Sequence, residues 1–198
     1  MKKNYITSLF ILSILCLVNS GCAVVAVGAV GAATATGAAV GTDPRGSGLV
    51  IDDKSIQSNL STKYSNSDNF PDSNIYIDVF NKVVLLTGQV KTQEQKDRAE
   101  QVARGYPGVI KIYNYLSVRL PSSITARSRD SLITTQLKAQ LLSATGIPSN
   151  NIKVETTETI VYMMGILTQA QAESATKIAA QVGGVTKVIS LFDYSSGK

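Results

Sequence analysis

The chain contains no histidine, which removes the side chain that most often acts as general base near neutral pH and most often ligates metal ions. Hydrolytic triads and zinc sites drop out with it, and no metal or cofactor is expected. Carboxylates such as Asp72 and Asp78 offer acid–base chemistry of the glycosidase kind in principle. In the internal repeat described below, however, their counterparts are Ser149 and Glu155, so they read as solvated surface acids and no catalytic residue is assigned. Two groups of residues are left that can do chemistry. One is the pair of cysteines, Cys16 and Cys22. The other is a set with helical spacing, Arg129, Leu132, Thr135, Lys138, Ala139 and Leu142, which combines apolar and basic side chains.

The cysteines lie in a segment that reads as an export signal. Lys2 and Lys3 form a basic start, Ile6 to Val18 an apolar run of 13 residues, and Ser20-Gly21 a small-residue exit before Cys22. The run is short for a membrane span. Leu17-Val18-Asn19-Ser20-Gly21-Cys22 resembles a bacterial lipobox, with Asn19 where an aliphatic residue is usual. The resemblance implies that the Cys22 thiol is acylated and becomes the new N-terminus. Ala23 after the cysteine implies sorting to the outer membrane. Residues 1–21 are thus expected to be a signal peptide and residues 22–48 a lipidated tether. Ala23 to Gly41 is uncharged Ala, Val and Gly with two Thr, read as a flexible or interface-hugging tether, with a weakly inserting membrane segment as the alternative. Asp43 to Gly48 breaks any helix and marks the entry to the folded part. Neither cysteine is left for a disulfide.

Beyond the tether the chain repeats itself. At an offset of 77 residues Asp53, Ile56, Leu60, Pro71, Asn74, Ile75 and Gly88 fall on Asp130, Ile133, Leu137, Pro148, Asn151, Ile152 and Gly165. One residue is then lost, and Thr92, Val102, Ala103, Gly108 and Val109 fall on Thr168, Ile178, Ala179, Gly184 and Val185. In each copy an aspartate (Asp53, Asp130) is read as the acceptor at a helix start, followed by an apolar stripe of Ile56, Leu60 and Tyr64 or Ile133, Leu137 and Leu141. Two β-rich runs follow, Ile75–Val79 and Val83–Thr87 or Ile152–Thr156 and Ile160–Met164, the first pair joined at Asn81-Lys82. Gly88 or Gly165 is read as ending the hairpin, Thr92 or Thr168 as capping a second helix, and Val109–Val118 or Val185–Tyr194 as a last strand. The expected fold class is α+β: two tandem α-β-β-α-β modules, at 49–120 and 121–195, each a small mixed sheet backed by two helices.

This order of parts resembles the BON-domain family over nearly the whole chain, and within it the dual-BON outer-membrane lipoproteins, which share the Ala/Val/Gly stretch, the Thr42-Asp43-Pro44-Arg45 run and the Ile133-Thr134-Thr135 helix. The resemblance implies a periplasmic, non-enzymatic module associated with phospholipid binding, envelope integrity and the division site, with the first helix of the second module facing lipid.

The residues point the same way on their own. After loss of the leader, 17 bases face 14 acids, a net charge of +3 that is no nucleic-acid signature. The excess sits in the second module, where residues 119–194 carry seven bases and five acids, against eight and eight in 52–118. Opposite its core stripe, the first helix of that module presents Leu132, Thr135, Ala139 and Leu142, bordered by Arg129 and Lys138; the first module has Ser55, Ser58, Thr62 and Ser65 there. An exposed apolar strip rimmed by bases suits the headgroup region of an anionic membrane. Two alternatives remain at this level: the strip packs against the first module, or the modules form a scaffold for envelope proteins or peptidoglycan. A monomer is expected.

Overall fold

The computed structural model describes residues 46–195 except Ser67; the leader, the Cys22 anchor and the Ala/Val/Gly stretch lie outside the described residues. The first module runs α1 (Ser47–Ser65), β1 (Asn74–Phe80), β2 (Val83–Val90), α2 (Gln93–Arg104), β3 (Lys111–Asn114) and β4 (Ser117–Val118). The second runs α3 (Ile124–Ser143), a 3-10 turn (Ser149–Asn151), β5 (Ile152–Thr157), β6 (Ile160–Leu167), α4 (Gln169–Gln181) and β7 (Lys187–Tyr194). In each, an antiparallel hairpin shares its second strand with a last strand that pairs parallel to it, giving the orders β1-β2-β3, with β4 also beside β2, and β5-β6-β7. A parallel partner needs a crossover, which α2 and α4 supply. This is the expected α+β architecture of two mixed sheets, each backed by two helices.

The expected stripes form the cores. Ile56, Leu60 and Tyr64 pack with Ile77, Val79, Val84, Leu86 and the small faces of Ala99 and Ala103; Ile133, Leu137 and Leu141 pack with Val154, Val161, Met163, Ala175 and Ala179. The alanines let α2 and α4 lie close to the sheets. Thr92 and Thr168 cap these helices as expected, accepting from the backbone N–H of Gln95 and Gln171.

Four local readings are corrected. Asp53 and Asp130 do not cap helices. The helices begin earlier, α1 at Ser47 with Gly48 inside its first turn and α3 at Ile124 behind a Ser123 cap. The two aspartates are buried one or more turns in, and each holds the hairpin turn of its own module. Asp53 accepts from the N–H groups of Asn81 and Lys82, both at 2.8 Å, and Asp130 from those of Glu158 and Thr159 at 2.9 and 3.0 Å. These four turn residues all have φ between 51° and 63°, the type I′ pattern. Second, Gly88 and Gly165 do not end the hairpins but sit within β2 and β6. A Cβ on either would collide with a backbone carbonyl, that of Asn74 at the start of β1 or that of Asn151 in the turn just before β5. Third, the last strands start at Lys111 and Lys187. Fourth, the first of them is interrupted at Tyr115-Leu116, where Asn114 Oδ1 accepts the Leu116 N–H at 3.2 Å and competes with the ladder.

The sheet faces not covered by helices meet each other. Phe80, Val83 and Leu85 of the first module pack with Tyr162 and Met164 of the second, joined by Tyr113, Ile160, Ile166, Ile189 and Leu191. Polar contacts edge this seam. Lys153 bridges to Asp78 at 3.1 Å and Gln57 at 2.9 Å, and Glu158 accepts from Gln89 Nε2 at 3.1 Å, Ser117 Oγ at 3.2 Å and Arg119 at 3.3 Å. β2 is buried at all eight positions because both of its faces are covered.

Candidate functional site

The second module's first helix, α3, is the longest element described, and its two sides are chemically distinct. Asp130, Ile133, Leu137 and Leu141 are buried against the sheet. On a third side, turned to the first module, Arg127 donates to Asn74 Oδ1 at 3.2 Å. Because the modules join through their sheets, nothing in the described structure covers the outward side. Arg129, Leu132, Thr135, Lys138, Ala139 and Leu142 are all exposed, Leu132 to 63 % and Leu142 to 73 %. At about 100° per residue the strip spans roughly 80° of arc, with Arg129 beyond one margin and Lys138 beyond the other.

Ile124 extends the strip. It lies at the angle of Leu142, five turns earlier by about 3.6 residues per turn, and is 74 % exposed; Leu120, just before the helix, is exposed to the same degree. Placing the helix start at Asp130 conceals Ile124, and Ser123 followed by a helical run is the signal that reveals it. The corresponding side of α1 carries exposed Ser55, Ser58, Thr62 and Ser65, with Ile51 as a lone exposed apolar residue. The difference between the helices is therefore three exposed aliphatic residues, Ile124, Leu132 and Leu142, along one side of α3, with Ser128 and Thr135 between them, against an isolated isoleucine on α1.

Electrostatics reinforce the asymmetry. Among the described residues neither Arg129 nor Lys138 takes part in a salt bridge. Lys138 also bears on Glu155, a β5 carboxyl turned toward the first module. Burial, and secondarily the Asp78 carboxylate, pushes Glu155 up to about 7, with Lys138 and Lys153 pulling the other way. An apolar ridge flanked by two free cations can enter an interface and attract anions; it offers no nucleophile or paired acid.

Comparison with known proteins accords with the repeat. The BON domain model matches residues 52–119 and again 129–196, so the two matches are offset by the 77 residues of the internal repeat. The outer membrane lipoprotein DolP of Haemophilus influenzae is 34 % identical over 161 residues, covering 81 % of this chain and 83 % of that protein. The 21 kDa hemolysin of Actinobacillus pleuropneumoniae is 33 % identical over 77 % of this chain and 79 % of its own length. The osmotically-inducible protein Y of Escherichia coli is 35 % identical over 71 % and 72 %. With two matched copies of one α-β-β-α-β module and relatives aligned across most of its length, the chain belongs to the BON-domain family as a tandem, two-domain member.

Proposed function

We propose that the chain is a non-enzymatic lipoprotein held at the periplasmic face of the outer membrane by acylated Cys22, which binds anionic phospholipid through the outward side of α3 and supports envelope integrity at the division site. The similarity to an outer membrane lipoprotein supports the location. Among the described residues no helix is long and apolar enough to cross a membrane. The observation that carries the lipid reading is the uncovered strip from Ile124 to Leu142, rimmed by Arg129 and Lys138, where the other BON domain has serines.

The energetics fit a reader and not an anchor. Each exposed Leu or Ile adds at most roughly 1.5–3 kcal/mol on full desolvation, and each basic residue about 1 kcal/mol near an anionic leaflet. Partial immersion leaves a weak interaction. The acyl group on Cys22 keeps the domain near the bilayer at an effective concentration on the order of mM, so weak binding suffices to select lipid composition. Co-sedimentation of residues 46–198 with phosphatidylglycerol vesicles tests this. Leu132→Glu abolishes binding on this reading; undiminished binding sinks it and leaves a scaffold for envelope proteins or peptidoglycan.

A further inference from the structure

A groove at the junction of the two BON domains lies beside the α3 strip. Lys54 of α1, Lys138 of α3 and Lys153 of β5 line it together with Val50, Phe80 and Val154. Three cations thus face an apolar floor, Lys54 and Lys138 exposed and Lys153 half-buried. Their pairing is incomplete. Lys153 is taken by Asp78, and the Asp53 carboxylate that also reaches the groove is engaged by the turn N–H groups of Asn81 and Lys82. Among the described residues Lys54 and Lys138 have no salt bridge. Against Asp53 and Asp78 the three lysines leave the groove an excess of positive charge, opposed further only by Glu155, whose burial favours its neutral form.

A second hollow shares Lys138, Asn150, Ile152 and Val154 with the first and continues to Leu142 at the end of the strip. Lys138 thus borders both the strip and the groove. The volume of the groove, about 260 Å³, is below the roughly 300–1,000 Å³ that encloses a drug-sized ligand. It has room for a headgroup and glycerol, with acyl chains left outside.

We propose that this groove binds the phosphodiester headgroup of a single anionic glycerophospholipid, with Lys54 and Lys138 on the phosphate and the glycerol on the Val50–Phe80 floor. The proposal rests on the membrane reading of α3, since the strip brings the groove to the bilayer, but it concerns a different set of contacts. It makes lipid recognition a joint act of both domains, because Lys54 belongs to the first and Lys138 to the second. The polar first helix then has a role that its lack of an apolar strip conceals.

The test uses the full chain in dodecylmaltoside, titrated by isothermal calorimetry with dihexanoyl phosphatidylglycerol below its micelle concentration, so that no bilayer surface is present. Dihexanoyl phosphatidylcholine and inorganic phosphate are the comparison probes. Binding of the anionic lipid at least tenfold tighter than either, weakened about fivefold by Lys54→Gln and unchanged by Lys177→Gln on α4, is the expected result. Equal binding of inorganic phosphate, or no effect of Lys54→Gln, overturns the groove. Loss of vesicle binding by Leu132→Glu beside an unaffected Lys54→Gln titration would leave the α3 reading standing and remove this one.

Discussion

The four hairpin residues Asn81, Lys82, Glu158 and Thr159 sit at positive φ, which suits Asn but is strained for a β-branched residue such as Thr159. Their N–H groups are satisfied by one buried carboxylate per domain, and charge-assisted bonds of this kind are the strong ones. Asp130→Asn replaces one acceptor oxygen by a donor facing an N–H. It should cost about 2 kcal/mol and lower the urea midpoint, whereas the adjacent exposed Ser131→Ala should leave it in place. Glu155 makes the opposite kind of contribution. Burial first, and Asp78 second, raise its folded value from 4.5 to about 7, so the unfolded chain releases the proton earlier as pH rises. The stability it allows is fully present below about pH 4.5 and is lost as pH rises through about 7, by at most roughly 3 kcal/mol. Glu155→Gln should therefore raise the melting temperature at pH 8 and leave it nearly unchanged at pH 4.5. The aspartate role was half legible in the sequence. Asp53 lies three residues before Ile56 and seven before Leu60, so it belongs to the buried side of the helix and not ahead of it; its partner, a turn 28 residues away, has no local signature.

At the scale of elements, two helices of equal fold position have diverged in what they show to solvent. The apolar stripe facing the core was plain from spacing, since a period of about 3.6 follows from helix geometry alone. So was the strip on the other side of α3. Its N-terminal extension was not, because Asp130, whose type and place suit a cap, lies six positions inside the helix, and Ile124 precedes it. If α3 lies along an interface, its ends should matter as much as its centre. Ile124→Ser should weaken binding to phosphatidylglycerol vesicles about five- to tenfold, judged by co-sedimentation against lipid concentration, while Ile51→Ser on α1 should change it less than twofold. The glycines tell a related story. Gly88 and Gly165 recur at one repeat position because a carbonyl at or just before the start of the neighbouring strand leaves no room for Cβ, a contact that a pattern of residue types marks but does not explain.

The whole molecule turns two similar domains into a sided object. Their sheets pack against each other through Phe80, Leu85, Tyr162 and Met164, which confines the helices to the outside and leaves α3 free. The unbroken apolar runs Val83-Val84-Leu85-Leu86 and Val161-Tyr162-Met163-Met164 are the sequence trace of this arrangement, since a sheet with one face in water would alternate. Which surface covered the second face could not be read from a period, because periodicity reports burial and not the partner. With the seam made by sheets, the unequal helices become unequal surfaces: the second domain carries the strip and the first supports it. Fluorescent labelling of single cysteines at Leu132, Thr135 and Leu142, and at Ser55, Ser58 and Ser65, in the presence of phosphatidylglycerol vesicles containing doxyl-quenched lipid, tests that division most directly. The account predicts strong quenching at the three α3 positions and little at the three on α1. Equal quenching on both helices, or none on α3, would contradict it.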